Sequence, residues 1–161
     1  MTTVYLALGA NIGDSRQSLQ AAITLLASIL DNLRQAPVYC SKAVGYTDQP
    51  DFFNTAVSGQ TYLPPQELLK KVKKIEQSVG RTPTFRWGPR EIDIDIIFYG
   101  NQTLKTGDLI IPHPHFAERD FVLKPLSDLD PDLIDPISGQ TVSQLLKNVP
   151  ENQKSLLEQV D

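Results

Sequence analysis

The sequence predicts an α+β fold, an antiparallel sheet with helices on one face. Three observations predict it. Short apolar runs of strand length recur along the chain, two longer stretches carry a three-four apolar repeat, and the pieces alternate strand-helix-strand-strand-helix-strand. Val4 to Gly9 is apolar on both faces, which suits a central strand. Asn11-Ile12-Gly13-Asp14 is turn chemistry, with Asp14 as N-cap of a first helix and Gln17 three residues on. That helix buries Leu19, Ala22, Ile23, Leu26, Ile29, Leu30 and Leu33. Pro37 to Ser41 reads as a weakly signalled second strand, starting as early as Arg34.

Lys42 to Asp51 lacks periodicity and holds Gly45, Asp48 and Pro50, so it reads as a long loop. Phe52 to Tyr62 is a third strand. Pro64-Pro65 opens a second helix with the stripe Leu68, Leu69, Val72, Ile75 and Val79, and Gly80 stops it. Arg81 to Pro89 has two prolines and no period, and reads as a mobile loop. Ile92 to Tyr99 is the closing strand, ended by Gly100-Asn101. This order is the split βαβ, ferredoxin-like βαββαβ pattern. A C-terminal extension follows. It holds a short strand at Leu109-Ile110-Ile111, helices over Phe121 to Leu129 and Thr141 to Asn148, and a polar tail from about Pro150 that is expected to fray.

The chain has 161 residues, enough for the single domain expected here. Its 40% hydrophobic and 21% charged content is ordinary for a globular protein. A net charge of −4 and a pI near 5.1 argue against a nucleic-acid coat. One cysteine, Cys40, excludes an internal disulfide and a thiolate metal cluster. Without a signal-peptide pattern or a bilayer-length apolar run, the expectation is a cytoplasmic protein with no membrane partner.

The richest stretch is Arg86-Trp87-Gly88-Pro89-Arg90-Glu91-Ile92-Asp93-Ile94-Asp95-Ile96-Ile97. On a strand, Ile92, Ile94 and Ile96 share one face, and Asp93 and Asp95 share the other, with Cα atoms roughly 6.5–7 Å apart. Paired carboxylates facing inward require a positive partner. A divalent cation satisfies that need, and Arg86 and Arg90 suit a polyanion held over it. The pair could instead be edge-strand charges that discourage aggregation.

Other residues have two readings as well. Glu76 sits at the edge of the second helix's stripe, either snorkelling to solvent or accepting a hydrogen bond in a cleft. Arg81, Arg86, Arg90 and Arg119 are either surface charges or anion ligands. Phe52, Trp87 and Phe121 are core rings or stacking platforms. Phe52 and Asn54 share a strand face, an arrangement suited to a flat heterocycle. His113 and His115 flank Pro114 and lack helical ligand spacing, so a His beside a phosphate is the better reading. P-loop, dinucleotide-fingerprint, G-x-S-x-G and H-E-x-x-H motifs are absent. Asp128-Leu129-Asp130-Pro131-Asp132 begins like a calcium loop, but Leu133 and Gly139 occupy the positions that need Gly and Glu.

The acidic stretch resembles the signature of the 6-hydroxymethyl-7,8-dihydropterin pyrophosphokinase family. Further family segments are similar in order: Leu8-Gly9-Ala10-Asn11-Ile12-Gly13-Asp14, Asp48-Gln49-Pro50-Asp51-Phe52-Phe53-Asn54, Ile75-Glu76 through Gly80-Arg81, and Ile111-Pro112-His113-Pro114 through Arg119-Asp120-Phe121. The resemblance runs from about residue 3 to about residue 147. It implies transfer of pyrophosphate from ATP to the hydroxymethyl group of a reduced pterin, with release of AMP, on a ferredoxin-like fold. It implies Mg2+, two ions per site, on Asp93 and Asp95. It also implies pterin contacts from Ser41, Val44, Gly45, Phe52, Asn54, Asp95 and Phe121. ATP contacts are implied for Glu76, Trp87, Arg90, Ile96, His113 and Arg119, and catalytic roles for Arg81, Arg90, Asp93, Asp95 and His113. The chain departs from the pattern at Phe52, where tyrosine is common, at Lys73 in place of a glutamine, and at Pro83, where arginine is sometimes found. The partners expected are these two small molecules, with the protein a monomer. Two rivals remain from the residues: a ferredoxin-like binding module, and a two-metal nucleotidyl transferase that attacks the α-phosphorus.

Overall fold

A computed structural model describes residues 1–80 and 91–160. The central strand is β1 (Thr2–Ala10), followed by α1 (Ser15–Leu26), β2 (Asp31–Gln35), β3 (Tyr39–Ser41), β4 (Phe52–Thr61), α2 (Pro65–Val79) and β5 (Asp93–Tyr99). All pairings in the sheet are antiparallel, in the order β5-β1-β4-β3 with β2 also on β4. β1 is central, as its two apolar faces require. Val4, Leu6, Leu8 and Ala10 face one core, and Tyr5 and Ala7 face another.

The first core lies under α1 and α2. Asp14 caps α1 by accepting the Gln17 N–H at 3.1 Å. Leu68, Val72 and Ile75 of α2 meet Ile92, Ile94 and Ile96 there. Gly80 ends α2 at φ 102°, a left-handed position that glycine takes without a Cβ penalty. α1 stops at Leu26, short of the predicted Leu33. Ile29, Leu30 and Leu33 still pack against the core, but from a turn and from β2. Their spacing reflects burial rather than helix. The second strand is also corrected, because it is split into β2 and β3. Between them lies Pro37, which has no N–H to give a ladder.

Helices do not lie on one face alone. After the hairpin β6 (Leu104–Lys105) and β7 (Ile110–Ile111), α3 (Asp120–Leu129) and α4 (Val142–Lys147) cover the second face. Leu123, Leu126 and Val142 pack there on Tyr5, Ala7, Ala56, Ile97 and Phe98. Those apolar groups would otherwise face water. A register shift between Tyr5 and Leu6 places Ile97 and Phe98 in the same core although they are adjacent in sequence. A bulge of this kind re-aims the side chains beyond it. The tail carries regular structure where the sequence signalled none. Beyond Pro150 it makes a helical turn and then β8 (Leu156–Gln159), which pairs with β3.

Candidate active site

The register assembles the site's floor. Asp93 lies opposite Gly9 on β1, and Gly9 lies opposite Asn54 on β4, so one row crosses three strands. The next row on that face is Asp95, Ala7 and Ala56. Small residues in β1 leave the floor low between taller neighbours. At Gly9 a Cβ would come within 3.1 Å of Asn54 Oδ1 and 3.6 Å of Phe52 Cδ1. Above this floor is a cavity lined by Asp93, Asp95, Phe52, Asn54, Arg119 and Phe121, with Ser41, Lys42 and Val44 at one edge.

Asn54 is 4% exposed, and its Nδ2 donates to Ser41 Oγ at 2.6 Å. That bond fixes the amide so that its oxygen is the end beside Gly9. The loop before β4 is tied by Asn11, whose Nδ2 donates to Gln49 Oε1 and to the Pro50 carbonyl, both at 2.9 Å. Asn11 thereby sets where Phe52 enters the sheet. On the other wall, the Arg119 guanidinium carbon stands 5.8 Å from the Phe121 ring centroid, a cation–π distance.

Asp93 and Asp95 share the cavity face and are both half-buried, while Ile94 between them is buried in the first core. His113 Nε2 stands 3.8 Å from Asp95 Oδ2. The His115 N–H donates to His113 Nδ1 at 3.2 Å, which leaves Nε2 as the proton-bearing nitrogen of the neutral ring. Burial pushes the His113 pKa down to about 4, and the charges of Arg119 and His115 add to that, against a smaller opposing effect of Asp93. His113 is therefore neutral at pH 7 and presents an N–H toward Asp95.

Glu76 takes neither of its two sequence readings in full. It is 5% exposed and its Oε2 accepts the Ile94 N–H at 2.8 Å, so it braces the acidic strand from the helix side. Ile96 turns away from the aspartates. Its side chain is buried in the first core and does not line the cavity, because it alternates with the aspartates. Val44 lines the cavity, whereas Gly45, at φ 81°, turns the loop beside it and is not part of the lining. Arg81, Arg86, Trp87 and Arg90 lie outside the described residues. The sequence reading missed Gly9 and Lys42. A glycine inside an otherwise apolar strand was the available signal for Gly9; Lys42 carried none.

Among the described residues no group of three His, Cys, Asp or Glu side chains is placed to hold a metal unaided. Two hard carboxylates nevertheless suit magnesium, which is bound through one or two carboxylates, with substrate phosphates and water completing its shell. Asp93 and Asp95 fit that role.

Fold and cavity define an α+β protein whose antiparallel sheet carries, on one face, a cavity that sets two aromatic rings and a buried amide beside a pair of carboxylates. The chain belongs to the 7,8-dihydro-6-hydroxymethylpterin-pyrophosphokinase family, whose model matches residues 5–131. It is 43% identical over 152 residues to the 2-amino-4-hydroxy-6-hydroxymethyldihydropteridine pyrophosphokinase of Aquifex aeolicus, covering 94% of this chain and 93% of that one. The protein of the same name from Synechocystis is 44% identical over 144 residues, covering 88% of this chain and 73% of its relative. Among solved structures, the Plasmodium falciparum HPPK-DHPS wild type with pterin and p-hydroxybenzoate superposes at TM-score 0.72 with 16% identity, over 91% of this chain. This chain spans 41% of that one.

Proposed function

We propose that this protein transfers pyrophosphate from ATP to the hydroxymethyl group of 6-hydroxymethyl-7,8-dihydropterin, releasing AMP, as a step in folate biosynthesis. One observation carries the reading: a single cavity brings together two carboxylates, an arginine, a buried amide and two aromatic rings from three separate segments of the chain. Family membership gives that constellation its substrates.

Phe52 and Phe121 would cover the faces of the pterin ring, with Asn54, held by Ser41, meeting its polar edge. Ser41 and Val44 would close the pocket, with Gly45 shaping the loop. Asp93 and Asp95 would hold Mg2+, two ions in the full site, and when bound the metal supplies charge neutralisation for the phosphates. Arg119 and the neutral His113 N–H would meet the triphosphate. Arg81 and Arg90 are assigned to the transferred group, and Trp87 to the nucleotide. Glu76 would act on the nucleotide side through the strand it braces, and Ile96 through its backbone alone. The pterin hydroxyl oxygen bonds to the β-phosphorus in line as the bridge to the α-phosphate breaks, the hydroxyl proton is lost, and AMP departs. Catalysis on this account is positioning and electrostatics, not covalent chemistry.

The same proposal takes the chain as one domain with a ferredoxin-like core and a C-terminal extension, monomeric and cytoplasmic. The β5-β1-β4 order supports the ferredoxin-like core, and the free Cys40 is consistent with a reducing compartment. No helix among the described residues is long and apolar enough to cross a membrane. The test is product analysis with Mg-ATP, with and without the hydroxymethyl pterin. AMP formed only in the presence of the pterin is expected. Pyrophosphate as product would indicate a nucleotidyl transferase, and no product a binding module.

A further inference from the structure

The segment after Pro150 lies beyond the span matched by the family model, residues 5–131, yet it is joined to two parts of the cavity lining. Asp120 opens α3 between Arg119 and Phe121 and is 4% exposed. Its oxygens accept the Ser155 N–H at 3.1 and 3.2 Å, the Ser155 hydroxyl at 3.2 Å and the Leu156 N–H at 3.0 Å. A carboxylate this deep is tolerable only when hydrogen bonds replace its hydration, and every donor named here comes from two consecutive residues of the tail. Those same residues are fastened on their other side. The Ser155 carbonyl accepts the Lys42 N–H at 2.8 Å, and Leu156 pairs with Ser41 in the sheet.

Ser41 and Lys42 line the cavity at the end of β3, and Arg119, Phe121 and Val122 line it at the start of α3. Ser155 and Leu156 thus form a strap between two stretches of chain that are far apart in sequence, and Asp120 is its buckle. We infer that Asp120 is a positioning residue for the pterin, setting Phe121 against the Ser41 edge through the tail. This inference rests on the proposed function. It assigns to a segment outside the matched family span a part in shaping the substrate pocket.

Three variants test it: Asp120→Asn, Ser155→Ala and Tyr5→Phe. The first keeps the side chain's size but turns one acceptor into a donor facing N–H groups. The second removes one donor and leaves the backbone bonds. The third is a control for stability, because Tyr5 donates to Asp130 at 3.3 Å beyond the far end of α3. AMP release is measured below each variant's melting transition, varying pterin and Mg-ATP separately. Asp120→Asn is expected to raise the pterin KM roughly tenfold, with the ATP KM and kcat within about twofold. Ser155→Ala is expected to shift the pterin KM in the same sense by a smaller factor. Tyr5→Phe is expected to lower the melting temperature and leave the pterin KM unchanged.

An unchanged pterin KM in Asp120→Asn, equal effects on both substrates, or the same pterin effect in Tyr5→Phe would each overturn the inference. Should Asp120→Asn not fold, Ser155→Ala decides: a selective rise in pterin KM supports the strap and an unchanged value overturns it. Wild-type protein releasing no AMP would defeat the functional reading and this inference with it, whereas active wild type with an indifferent Asp120→Asn defeats the inference alone.

Discussion

Asp95 is the residue where the most contacts of the proposed chemistry meet: it shares the cavity face with Asp93 and has the neutral His113 ring beside it. Asp95→Ala should therefore lower turnover by roughly 10²–10³-fold, the scale of losing one well-placed electrostatic group. Its half-exposed position means the melting temperature should hardly move. A near-normal rate in saturating magnesium would refute the metal assignment. Cys40 offers a different residue-scale test. Burial raises its thiol pKa, and the negative charges of Asp51 and Glu158 raise it further. The thiolate is the nucleophile, so iodoacetamide at pH 8 should modify Cys40 more slowly than it modifies a free thiol, with the rate still climbing above pH 9, roughly the usual thiol range. Glu158 is the register partner of Cys40. Glu158→Gln removes one of the charges that disfavour thiolate, so the pH–rate curve should move to lower pH. An unmoved curve would mean that the tail does not sit beside β3 in solution.

At the scale of elements, some of the site was legible in the sequence and some was not, for physical reasons. Alternation told which face of β5 carries Asp93 and Asp95, because period two leaves no freedom once Ile92, Ile94 and Ile96 are buried. Phe52 and Asn54 were placed together by the same rule. Burial and helix were confused at Leu33, since an apolar period records which residues meet the core and not the backbone that presents them. The second layer of helices could not be read from α3 and α4 alone. Its evidence lay in the partner surface of Tyr5, Ala7 and Phe98, which only the sheet order assembles. Glu76 was ambiguous because its acceptor role depends on the Ile94 N–H, 18 residues away.

Gly9 belongs to this scale as well, because its value comes from lying between Asp93 and Asn54 in one row. Gly9→Ala should fold, since Gly9 is not among the glycines with positive φ. Its methyl would press on Asn54 Oδ1 and enter the floor. The pterin dissociation constant should rise roughly tenfold by titration calorimetry, with nucleotide binding much less affected. Unaltered pterin affinity would show that the ring does not rest on this row.

At the scale of the molecule, one sheet serves two cores. Leu6 is fully buried under α1 and α2, and Leu123 of α3 is fully buried against the opposite face of the sheet. β1 and β4 contribute side chains to both, so neither core can lose its sheet without exposing the other. That predicts a single cooperative unfolding unit, the behaviour of one domain. Each of Leu6→Ala and Leu123→Ala should cost about 2–5 kcal/mol, the range for emptying a buried leucine site. The informative measurement is urea unfolding followed both by far-ultraviolet circular dichroism, which reports the backbone, and by near-ultraviolet dichroism, which reports packed aromatic rings. In wild type and in both variants the two signals should share one midpoint, lowered in each variant by the same amount for both signals. If Leu123→Ala instead lost its aromatic signal at lower urea while the backbone signal held, the C-terminal layer would be a separable unit. The cavity wall carrying Arg119 and Phe121 would then rest on a layer able to open without the sheet.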